Sequence, residues 1–436
     1  MGVKFIGLEP CSSFGGEIPA CPHGPMLLFE RADGGRKAGR QFYACAACRD
    51  RKACAFFLWR DERLAPEKAR QWRERVARAT AAAPVADHRA RFLRAEEILR
   101  LGGRYCVDCS QVLAGSEASL HSAHETRPVD PTLVRPSELL RPRSANSSEA
   151  QYLFSEATLA ALLTLLNAAG ARRVLCCGAP RLHERLQQQP GGPQSLMLDC
   201  DRRYEEFWPP EKLCVYNMFN HHMFCTHGWD VYREFVQRDG GEGLVVVIDP
   251  PFGGRLEALA LTLQSITVTR DAAEGRPATS TLLPVFLILP YFNEPDVLRS
   301  LPALHMTDMR VEYENHHKYT SAAAGGRKHG SPVRLFTSLP AERVELPPPL
   351  YRRCPPCRRW VHVDNRHCPQ CDRCTSKDGR PYQHCDLCER CVKITWRHCS
   401  GCGRCALPAH PCAAERPAAL SRPRDSTTGQ KRKRRK

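Results

Sequence analysis

One short segment of the sequence places an acid, two prolines and an aromatic ring directly after a predicted buried strand. Residues 244–248 form an apolar, β-branched run with the length of a strand that is covered on both faces. Asp249-Pro250-Pro251-Phe252 follows at once, and the double proline ends strand pairing and stiffens the backbone. A carboxylate and a proline carbonyl can accept the N–H hydrogens of an amine, and an aromatic ring can stack on a planar base. The segment therefore predicts a site for a planar substrate that carries an amine.

Asp249-Pro250-Pro251-Phe252 resembles the (Asp/Asn)-Pro-Pro-(Phe/Tyr/Trp) signature of S-adenosylmethionine-dependent amino methyltransferases. The amine of adenine is a poor nucleophile because its lone pair is delocalised into the ring. Hydrogen bonds from this amine to Asp249 and to the carbonyl of Pro250 would turn the lone pair toward a methyl sulfonium. No strong base is needed if the proton leaves after the methyl transfer. The resemblance implies that the catalytic residues are Asp249, Pro250, Pro251 and Phe252.

The elements around this segment predict an α/β domain in which the segment ends the fourth strand. Ser155 is placed to cap a helix that has a leucine-rich face and closes at Gly170. Residues 173–178 read as the first strand and a tight turn, and residues 195–201 as a second strand that ends in acids. Further elements are predicted within 213–224 (third strand), over 229–238 (amphipathic helix), and at 283–289, from Val311 onward and at 333–337 (strands). Together with the resemblance, this order implies an α/β, Rossmann-like class I methyltransferase domain.

A glycine-bearing turn followed by an acidic strand end is an arrangement that receives a nucleotide-like cofactor. The glycine lets the backbone approach the ligand, and the acid can bind ribose hydroxyls. Gly178 is a single glycine where most such methyltransferases have two or three, and strand alternation favours neither Asp199 nor Asp201 as the ribose partner. The residues predicted to bind S-adenosylmethionine are Tyr152, Leu153, Phe154, Cys177, Gly178, Arg181, Asp199, Asp201, Asn217 and Asp249.

The amino-terminal region resembles a GRF-type zinc finger. It has a Gly-Arg-x-Phe segment at 39–42 and a Phe-x-Trp segment at 57–59, after the last metal candidate. Cys48 forms a competing Cys-x-x-Cys pair with Cys45. Fingers of this type usually contact nucleic acid, which the neighbouring arginines and aromatics suit. The zinc ligands implied by the resemblance are Cys21, His23, Cys45 and Cys54.

A second zinc site is predicted farther along the chain. Residues 106–109 hold a Cys-x-x-Cys pair, and a His-x-x-His pair follows at 121–124, one residue shorter than the common finger spacing. Residues 62–100 before it read as helical with a basic face, and residues 128–148 after it as a linker rich in Pro, Arg and Ser. The predicted ligands are Cys106, Cys109, His121 and His124.

The densest metal pattern follows residue 350, where half of the 24 cysteines lie. The unit His-Cys-x-x-Cys-x-x-Cys occurs three times, beginning at His367, His384 and His398. Sixteen candidate ligands make four tetrahedral Cys3His sites, and CCHC-like spacing is also typical of nucleic-acid-binding zinc knuckles. The interleaved assignment is Cys354, Cys357, His367 and Cys374; Cys368, Cys371, His384 and Cys391; Cys385, Cys388, His398 and Cys405; and Cys399, Cys402, His410 and Cys412.

Composition favours an anionic partner. Lys and Arg number 64 against 47 Asp and Glu, which gives a net charge of +17, and nucleic acid is the commonest partner of such a chain. The basic tail at 431–436 is typical of a nuclear or nucleolar address, an RNA-contacting arm or a solvated end. Abundant cysteine without the layout of a secretion signal indicates metal rather than disulfides, and no apolar run reaches the length of a membrane span.

The fingers, the Asp-Pro-Pro-Phe domain and the cysteine/histidine array together resemble the family of CCHC zinc-finger ribosomal RNA (adenosine-N6) methyltransferases. The resemblance implies a Zn2+-containing enzyme that uses S-adenosylmethionine to methylate one adenosine of large-subunit, 28S-type ribosomal RNA. It implies the nucleus and nucleolus as location, with a cytoplasmic fraction, ribosome-biogenesis partners and the oligomeric state left open.

The alternatives are a non-catalytic zinc-finger RNA-binding adaptor, which the atypical glycine turn favours, and a methyltransferase of DNA or protein Gln. The predicted segments are 15–62 (GRF finger), 63–127 (basic helix and C2H2-like finger), 150–346 (methyltransferase), 350–413 (Cys/His-rich module) and 414–436 (basic disordered tail), with 315–330 as a substrate lid or a plain surface loop.

Overall fold

The computed structural model describes residues 3–32, 38–48, 51–81, 88–131, 134–143, 151–272, 275, 282–316 and 330–412. The chain divides into two compact units, Met1–His362 and Val363–Lys436. Most of the 315–330 loop and the basic tail lie outside the described residues. Within the part of the chain that is described, no helix has both the length and the apolar character needed to cross a membrane.

The first unit begins with a four-stranded antiparallel sheet and a small hairpin. The strands are β1 (Val3–Gly7), β2 (Ala20–Cys21), β3 (Gly24–Pro25), β4 (Leu27–Arg31), β5 (Gln41–Ala44) and β6 (Phe57–Trp59). β1, β4, β5 and β6 pair in that order, whereas β2 and β3 form the hairpin that carries Cys21. Tyr43 of β5 is buried, and its hydroxyl donates to the carbonyl of Pro10 at 2.7 Å, so the loop after β1 is held against the sheet.

Two helices follow where the sequence predicts a helical stretch. α1 (Pro66–Ala81) begins with a proline, which suits the first helical turn, and α2 spans His88–Arg100. Trp72 of α1 donates from Nε1 to the carbonyl of Ala20 at 2.8 Å, which fastens this helix to the β2–β3 hairpin. α2 instead buries Ala95 and Leu99 against a small three-stranded sheet. That sheet consists of β7 (Arg104–Cys106), β8 (Gln111–Leu113) and β9 (Thr126–Pro128).

The sequence predicts a linker over 128–148, and this is wrong for residues 134–143, which are packed. Pro136–Leu139 form a short helix, α3. Ser137 donates from its amide and from its hydroxyl to the buried carboxylate of Glu184, at 2.6 and 2.5 Å. These two bonds tie α3 to the central α/β domain, to which Glu184 belongs. The Pro- and Arg-rich composition suggested a linker because these long-range bonds leave no local pattern.

An eight-stranded sheet forms the centre of the first unit. Its order is β13-β12-β11-β10-β14-β15-β17-β16, with β10, β11, β12, β14 and β15 parallel and β17 antiparallel to its neighbours. The chain order reverses beside β10, and such a switch point opens a ligand crevice at the carboxyl ends of the strands. The predicted α/β fold is confirmed. The strands are β10 (Arg173–Cys177), β11 (Gln194–Asp199), β12 (Leu213–Asn217), β13 (His222–Met223), β14 (Leu244–Ile248), β15 (Val285–Pro290), β16 (His305–Arg310) and β17 (Val333–Thr337).

The strand predicted from Val311 onward is wrong in position, because β16 ends at Arg310. Its polar members obscured the apolar pattern. Thr307 is buried and its hydroxyl donates to the carbonyl of Leu335 at 3.0 Å. Asp308 is also buried, and it pairs with Arg359 at 3.2 Å. Buried polar residues that are satisfied by distant partners give no hydrophobic period to read.

Helices cover both faces of the central sheet. Ser155 caps α4 as predicted, because its hydroxyl accepts the amide of Thr158 at 3.2 Å. Successive residues of β14 alternate between two apolar cores, Val246 entering one and Val247 the other. Burial on both faces accounts for the unbroken apolar sequence of this strand. The helices are α4 (Glu156–Ala168), α5 (Pro180–Gln187), α6 (Thr226–Gln237), α7 (Leu256–Ala272) and α8 (Glu294–Ser300).

Small antiparallel hairpins form the rest of the described chain. β18 (Tyr351–Cys354) and β19 (Arg359–His362) close the first unit. The second unit pairs β20 (His367–Cys368) with β21 (Arg373–Cys374), β22 (Tyr382–Cys385) with β23 (Arg390–Lys393), and β24 (Arg397–Cys399) with β25 (Arg404–Ala406). Each turn contains one residue with φ between 47° and 63°, namely Arg358, Asp372, Glu389 or Gly403. The repeated Cys-x-x-Cys spacing therefore folds each time into the same turn.

Candidate active site and metal centres

A cavity of about 240 Å³ lies at the carboxyl ends of the central parallel strands. The turns after β10, β11, β12 and β14 all contribute to its wall. Six of the ten residues predicted to bind the cofactor line it, and so do the three residues that follow Asp249. The structure thus brings these predicted site residues together: Tyr152, Gly178, Asp199, Asp201, Asn217, Asp249, Pro250, Pro251 and Phe252.

Asp249 is held through both its backbone and its side chain. Its amide donates to the carbonyl of Cys177 at 3.0 Å, so the pairing of β14 with β10 continues into the motif. Its Oδ1 accepts a hydrogen bond from the hydroxyl of Tyr313 at 2.9 Å. Burial raises the pKa of the Asp249 carboxyl well above its ordinary value, and the bond from Tyr313 opposes that rise. The site therefore contains a desolvated carboxyl group whose orientation is set by a tyrosine.

Four rings form an aromatic cluster next to Asp249. Tyr152 and Phe252 lie nearly parallel, at 20° and with 6.3 Å between their centroids. Tyr313 contacts both of these rings, and the ring of His316 lies 4.2 Å from that of Tyr152. Aromatic faces of this kind stack on planar bases. A base whose amine reaches Asp249 would therefore meet an aromatic surface.

Gly178 lies where the turns after β10 and β14 come closest. Its φ of +63° is a left-handed conformation that favours glycine. A Cβ atom there would lie 2.9 Å from the carbonyl oxygen of Asp249 and 2.9 Å from Cε of Met218. Met218 also lines the cavity. The single glycine of this turn thus leaves room for backbone and ligand to approach each other.

The two acids at the carboxyl end of β11, Asp199 and Asp201, have different surroundings. Asp201 accepts hydrogen bonds from Arg203, Arg143 and Gln151. Burial opposes its ionisation, but the bonds and charge of Arg203 and the charge of Arg143 outweigh burial and lower its pKa. Asp199 accepts the amide of Asp201 at 2.9 Å, and burial together with the charge of Asp201 raises its pKa to about 7. A carboxylate accepts about four hydrogen bonds, so Asp199 is the acid suited to ribose hydroxyls and Asp201 anchors the loop.

Four residues predicted to bind the cofactor lie outside the cavity wall: Leu153, Phe154, Cys177 and Arg181. Arg181 forms ion pairs with Glu156 and Glu314. Phe154 stacks on Tyr313 with 5.5 Å between centroids and forms a β-bridge with it. Leu153 accepts the amide of Glu314 at 2.9 Å through its carbonyl. Arg181, Phe154 and Leu153 therefore hold the segment that carries Tyr313.

Sequence reasoning missed several residues of the site. Arg143 enters the wall from the stretch predicted as a linker, and Tyr313 approaches Asp249 from beyond β16. His23 and Cys48 line the cavity from the amino-terminal finger. None of these positions belongs to a local motif of the central α/β domain. Only the pairing of distant segments places them at the site.

The amino-terminal finger brings together its predicted zinc ligands. The ligand atoms of Cys21, His23, Cys45 and Cys54 all lie within 4.8 Å of one another. Nδ1 of His23 is 3.5 Å from Sγ of Cys45, whereas Sγ of Cys48 lies 3.8 Å from the other ring nitrogen, Nε2. Three thiolates and one imidazole suit tetrahedral Zn2+. The geometry favours Cys45 over Cys48 as the third ligand.

The second predicted set is also assembled. The ligand atoms of Cys106, Cys109, His121 and His124 lie within 4.8 Å of one another. Nδ1 of His124 is 3.2 Å from Sγ of Cys109 and 3.6 Å from Sγ of Cys106. A metal ion bound here would join the β7–β8 hairpin to the short 3-10 helix Gly115–His121.

The interleaved arrangement predicted for the carboxyl-terminal sites recurs in the second unit. Two sets have all their ligand atoms within 4.8 Å, namely Cys368, Cys371, His384 and Cys391, and Cys385, Cys388, His398 and Cys405. In the last set, Sγ of Cys399 is 3.6 Å from Sγ of Cys412, and Sγ of Cys402 is 3.4 Å from Nε2 of His410. The set Cys354, Cys357, His367 and Cys374 draws on both units and stays a prediction. Zn2+ suits each Cys3His set and would link neighbouring segments of the chain.

One part of the finger sheet combines arginines with aromatic rings. The guanidinium of Arg40 lies 4.1 Å from the centre of the Trp59 ring, and that of Arg51 lies 4.2 Å from the centre of the Phe57 ring. These side chains are half-buried or exposed. Arginines bind phosphates, and aromatic rings stack on unpaired bases. This group is therefore a candidate nucleic-acid contact.

Comparison with known proteins gives matches that agree with this geometry. A family model described as a probable N6-adenine methyltransferase matches residues 145–322, and one described as a GRF zinc finger matches residues 19–63. The rRNA N(6)-adenosine-methyltransferase ZCCHC4 of Homo sapiens is 41% identical over 358 residues, covering 80% of this chain and 69% of the human protein. The protein of that name from Xenopus tropicalis is 41% identical over 358 residues, covering 80% of this chain and 73% of the frog protein.

Proposed function

Because the chain belongs to the family of rRNA N(6)-adenosine-methyltransferases, we propose that it transfers a methyl group from S-adenosylmethionine to N6 of an adenosine in large-subunit ribosomal RNA. The observation that carries the proposal is that Asp249, Pro250 and Phe252 line one cavity together with Gly178 and Asp199. One cavity then offers acceptors for an amine, a ring face for a base, and the turn and acid that a nucleotide-like cofactor needs.

The cofactor half of the cavity is built from the turns after β10, β11 and β12. S-adenosylmethionine, when bound, supplies an electrophilic methyl group on its sulfonium. Gly178 allows close approach of the backbone, and Asp199 accepts hydrogen bonds from ribose hydroxyls. Asn217, the last residue of β12, also lines the cavity and would border the adenine of a bound cofactor.

Asp249 and Pro250 act on the amine of the target adenosine. The Asp249 carboxylate and the Pro250 carbonyl accept its two N–H hydrogens, which directs the nitrogen lone pair at the methyl carbon. That pair forms the new N–C bond, while the electron pair of the broken C–S bond stays on sulfur. N6 then carries a positive charge and loses one proton along its hydrogen bond to Asp249, from which the proton passes to water. Acceptors in a desolvated site interact more strongly with the charge that develops on N6.

The zinc fingers, including the arginines and aromatic rings of the finger sheet, would bind the RNA. Zn2+ folds finger and knuckle modules of these ligand sets. The pairs Arg40–Trp59 and Arg51–Phe57 supply cationic and stacking groups for a single-stranded or unpaired region. Contacts of this kind recognise phosphate positions and RNA shape, while Asp249 and its neighbours recognise the base itself.

A nuclear and nucleolar location is part of the proposal. Its support is the ribosomal RNA substrate and the basic run at 431–436. A fusion to a fluorescent protein should concentrate in nucleoli, and deletion of residues 431–436 should spread it through the cell. An unchanged distribution after the deletion would remove the tail from this part of the proposal.

The test is methyl transfer from labelled S-adenosylmethionine to purified large-subunit ribosomal RNA. Wild-type protein should produce N6-methyladenosine, and Asp249→Ala should produce none while it still binds RNA. Asp296→Ala, which removes an exposed acid of α8, is the matched control and should keep full activity. A wild-type protein that binds no S-adenosylmethionine would support the adaptor alternative, and label only on DNA or on a glutamine peptide would refute the substrate.

A further inference from the structure

The β2–β3 hairpin, which carries the predicted zinc ligands Cys21 and His23, is hydrogen-bonded directly to the β12 end of the central sheet. Asn220 donates from Nδ2 to the carbonyl of His23 at 3.0 Å and to that of Pro25 at 2.8 Å. Asn217 donates from Nδ2 to the same carbonyl of His23 at 2.8 Å. Both asparagines are buried; Asn217 is the last residue of β12, and Asn220 lies in the turn beyond it. Two side chains of one domain therefore hold the backbone on either side of Gly24 in the other.

The hairpin packs closely against the sheet, and the contact between Gly24 and His222 leaves no room for a side chain at position 24. A Cβ atom at Gly24 would lie 2.5 Å from ring atoms of His222, and the φ of Gly24 is +96°, a conformation that favours glycine. His222 belongs to β13, which pairs with β12 beside Asn217. The β2–β3 hairpin therefore packs tightly against β13, at the edge of the central sheet and next to the cavity.

The same hairpin contributes to the cavity wall. His23 and Cys48 line the same cavity as Asn217 and Phe219, and His23 is one of the four predicted zinc ligands. Asn217 uses its Oδ1 to accept the amide of Phe219 at 3.0 Å while its Nδ2 holds His23. One asparagine therefore orders the turn beyond β12 and the zinc-ligand loop at once.

We propose that the zinc site of the amino-terminal finger is a working part of the S-adenosylmethionine site, with Asn220 as the positioning residue that joins them. The inference rests on the proposed function, because it takes the cavity to be the cofactor site. Bound zinc orders the His23 loop, Asn220 fastens that loop to β12 and β13, and the resulting wall borders the adenosyl end of the cofactor. The finger thus serves cofactor binding as well as RNA contact.

Two variants separate this role from direct contact with the cofactor. Asn220 and Cys54 do not line the cavity, so replacing either one removes no wall side chain. Asn220→Ala should keep its zinc and yet weaken S-adenosylmethionine binding by about tenfold, the size of effect expected when a buried hydrogen-bonding group is lost from a preorganised wall. Cys54→Ser should lose one zinc ion per chain and weaken cofactor binding at least as much.

The control is Asn365→Ala. Asn365 is also buried, and its amide group also makes two backbone hydrogen bonds, to Ser376 at 3.0 Å each. It belongs to the second unit, so cofactor affinity should stay at the wild-type value. Calorimetry with S-adenosylmethionine and zinc analysis by atomic emission give both readouts without reference to catalysis.

The thermodynamic coupling between zinc binding and cofactor binding supplies a second measurement, which can be made on the wild-type protein. If zinc strengthens cofactor binding, saturating S-adenosylmethionine must strengthen zinc binding by the same factor. At equilibrium with a competing chelator, wild-type protein should then hold one of its zinc ions about tenfold more tightly with the cofactor present, and Asn220→Ala should lose that protection.

The outcomes separate this inference from the proposed function. Equal cofactor affinity in wild type, Asn220→Ala and Cys54→Ser, with no protection of zinc, would overturn the inference and leave a finger that serves RNA alone. A wild-type protein that binds no S-adenosylmethionine at all would instead overturn the proposed function.

Discussion

The hydroxyl of Tyr313 donates a 2.9 Å hydrogen bond to Oδ1 of Asp249, across 64 positions of sequence. Tyr313 is itself held by the β-bridge to Phe154 and by ring contact with Phe252. The bond leaves the second carboxylate oxygen of Asp249 for the target amine. It also stabilises the ionised form, because a hydrogen bond donated to a carboxylate lowers its pKa.

We expect Tyr313→Phe to move the pH dependence of methyl transfer upward. Burial raises the pKa of Asp249, and removal of the tyrosine bond takes away a group that lowers it, so the pKa rises further. Transfer requires the ionised carboxylate as an acceptor. The acid limb of the kcat profile should therefore shift to higher pH, and activity near neutral pH should fall. The measurement is kcat against pH for both proteins.

Tyr291→Phe is the control for this prediction. Tyr291 lies after β15 and does not line the cavity, so its variant should keep the wild-type profile. A loss of activity in Tyr313→Phe with an unshifted limb would mean that Tyr313 only packs against the aromatic cluster.

Gly178→Ala tests the close approach behind the cavity. The variant must adopt φ near +63° and place a methyl group 2.9 Å from the Asp249 carbonyl oxygen. The unfavourable backbone alone costs about 1–3 kcal/mol. We expect a lower free energy of unfolding in urea, together with weaker S-adenosylmethionine binding by calorimetry. Gly191→Ala, at another positive φ with nothing within 4 Å of its Cβ, should lose stability but keep cofactor affinity.

The local parts of the fold follow from sequence because their signals are local. The Ser155 cap, the apolar run of β14 and the acids at the end of β11 each depend on residues within or next to one element. The Cys-x-x-Cys pairs are equally local, since zinc chemistry restricts their partners to a short list of thiols and imidazoles. Element type and candidate ligands could therefore be predicted before any tertiary contact was known.

The missing parts depend on contacts that no local period records. Nothing in the local sequence distinguishes Asn220 from other asparagines in turns. Its role depends on the hydrogen bond to His23 of the β2–β3 hairpin, which is distant in sequence. Arg181 was predicted to bind the cofactor from its place after the glycine turn, but Glu314 pairs with it from beyond β16. Tyr313 was missed for the same reason. Side chains that join distant segments carry the information that sequence patterns lack.

Cys388→Ser tests the interleaved metal sets of the second unit. Its thiol belongs with Cys385, His398 and Cys405, so the variant should lose one zinc ion and open hairpins β22–β23 and β24–β25 to protease. All four ligands belong to the second unit, and we expect cofactor affinity to stay unchanged. Zinc analysis and limited proteolysis are the measurements.

Cys225→Ser is the matched cysteine control. Cys225 caps α6 by accepting the amide of Gly228 at 3.3 Å, and serine fills that role well. Its zinc content and proteolysis pattern should match the wild type. Retention of every zinc ion by Cys388→Ser would show that the sets are paired differently.

Asp199 and Asp201 should separate cofactor binding from folding. Asp199→Asn should weaken S-adenosylmethionine binding with little change in stability, because a carboxamide is a poorer acceptor for ribose hydroxyls. Asp201→Ala removes the partner of Arg203 and Arg143 and should cost about 3 kcal/mol of unfolding free energy, as expected when one member of a buried pair is lost. Calorimetry and urea denaturation measure the two effects.

Proton release on cofactor binding tests whether Asp199 is the acid that binds the ribose hydroxyls. Burial and the charge of Asp201 raise this pKa to about 7 in the free protein. Hydroxyl donors favour the carboxylate, so binding lowers the pKa and releases protons near neutral pH. Cofactor affinity should therefore fall as the pH drops from 8 to 6. Calorimetry in two buffers with different ionisation enthalpies measures the release, which should vanish in Asp199→Asn. Release that persists in that variant would exclude Asp199 as its source.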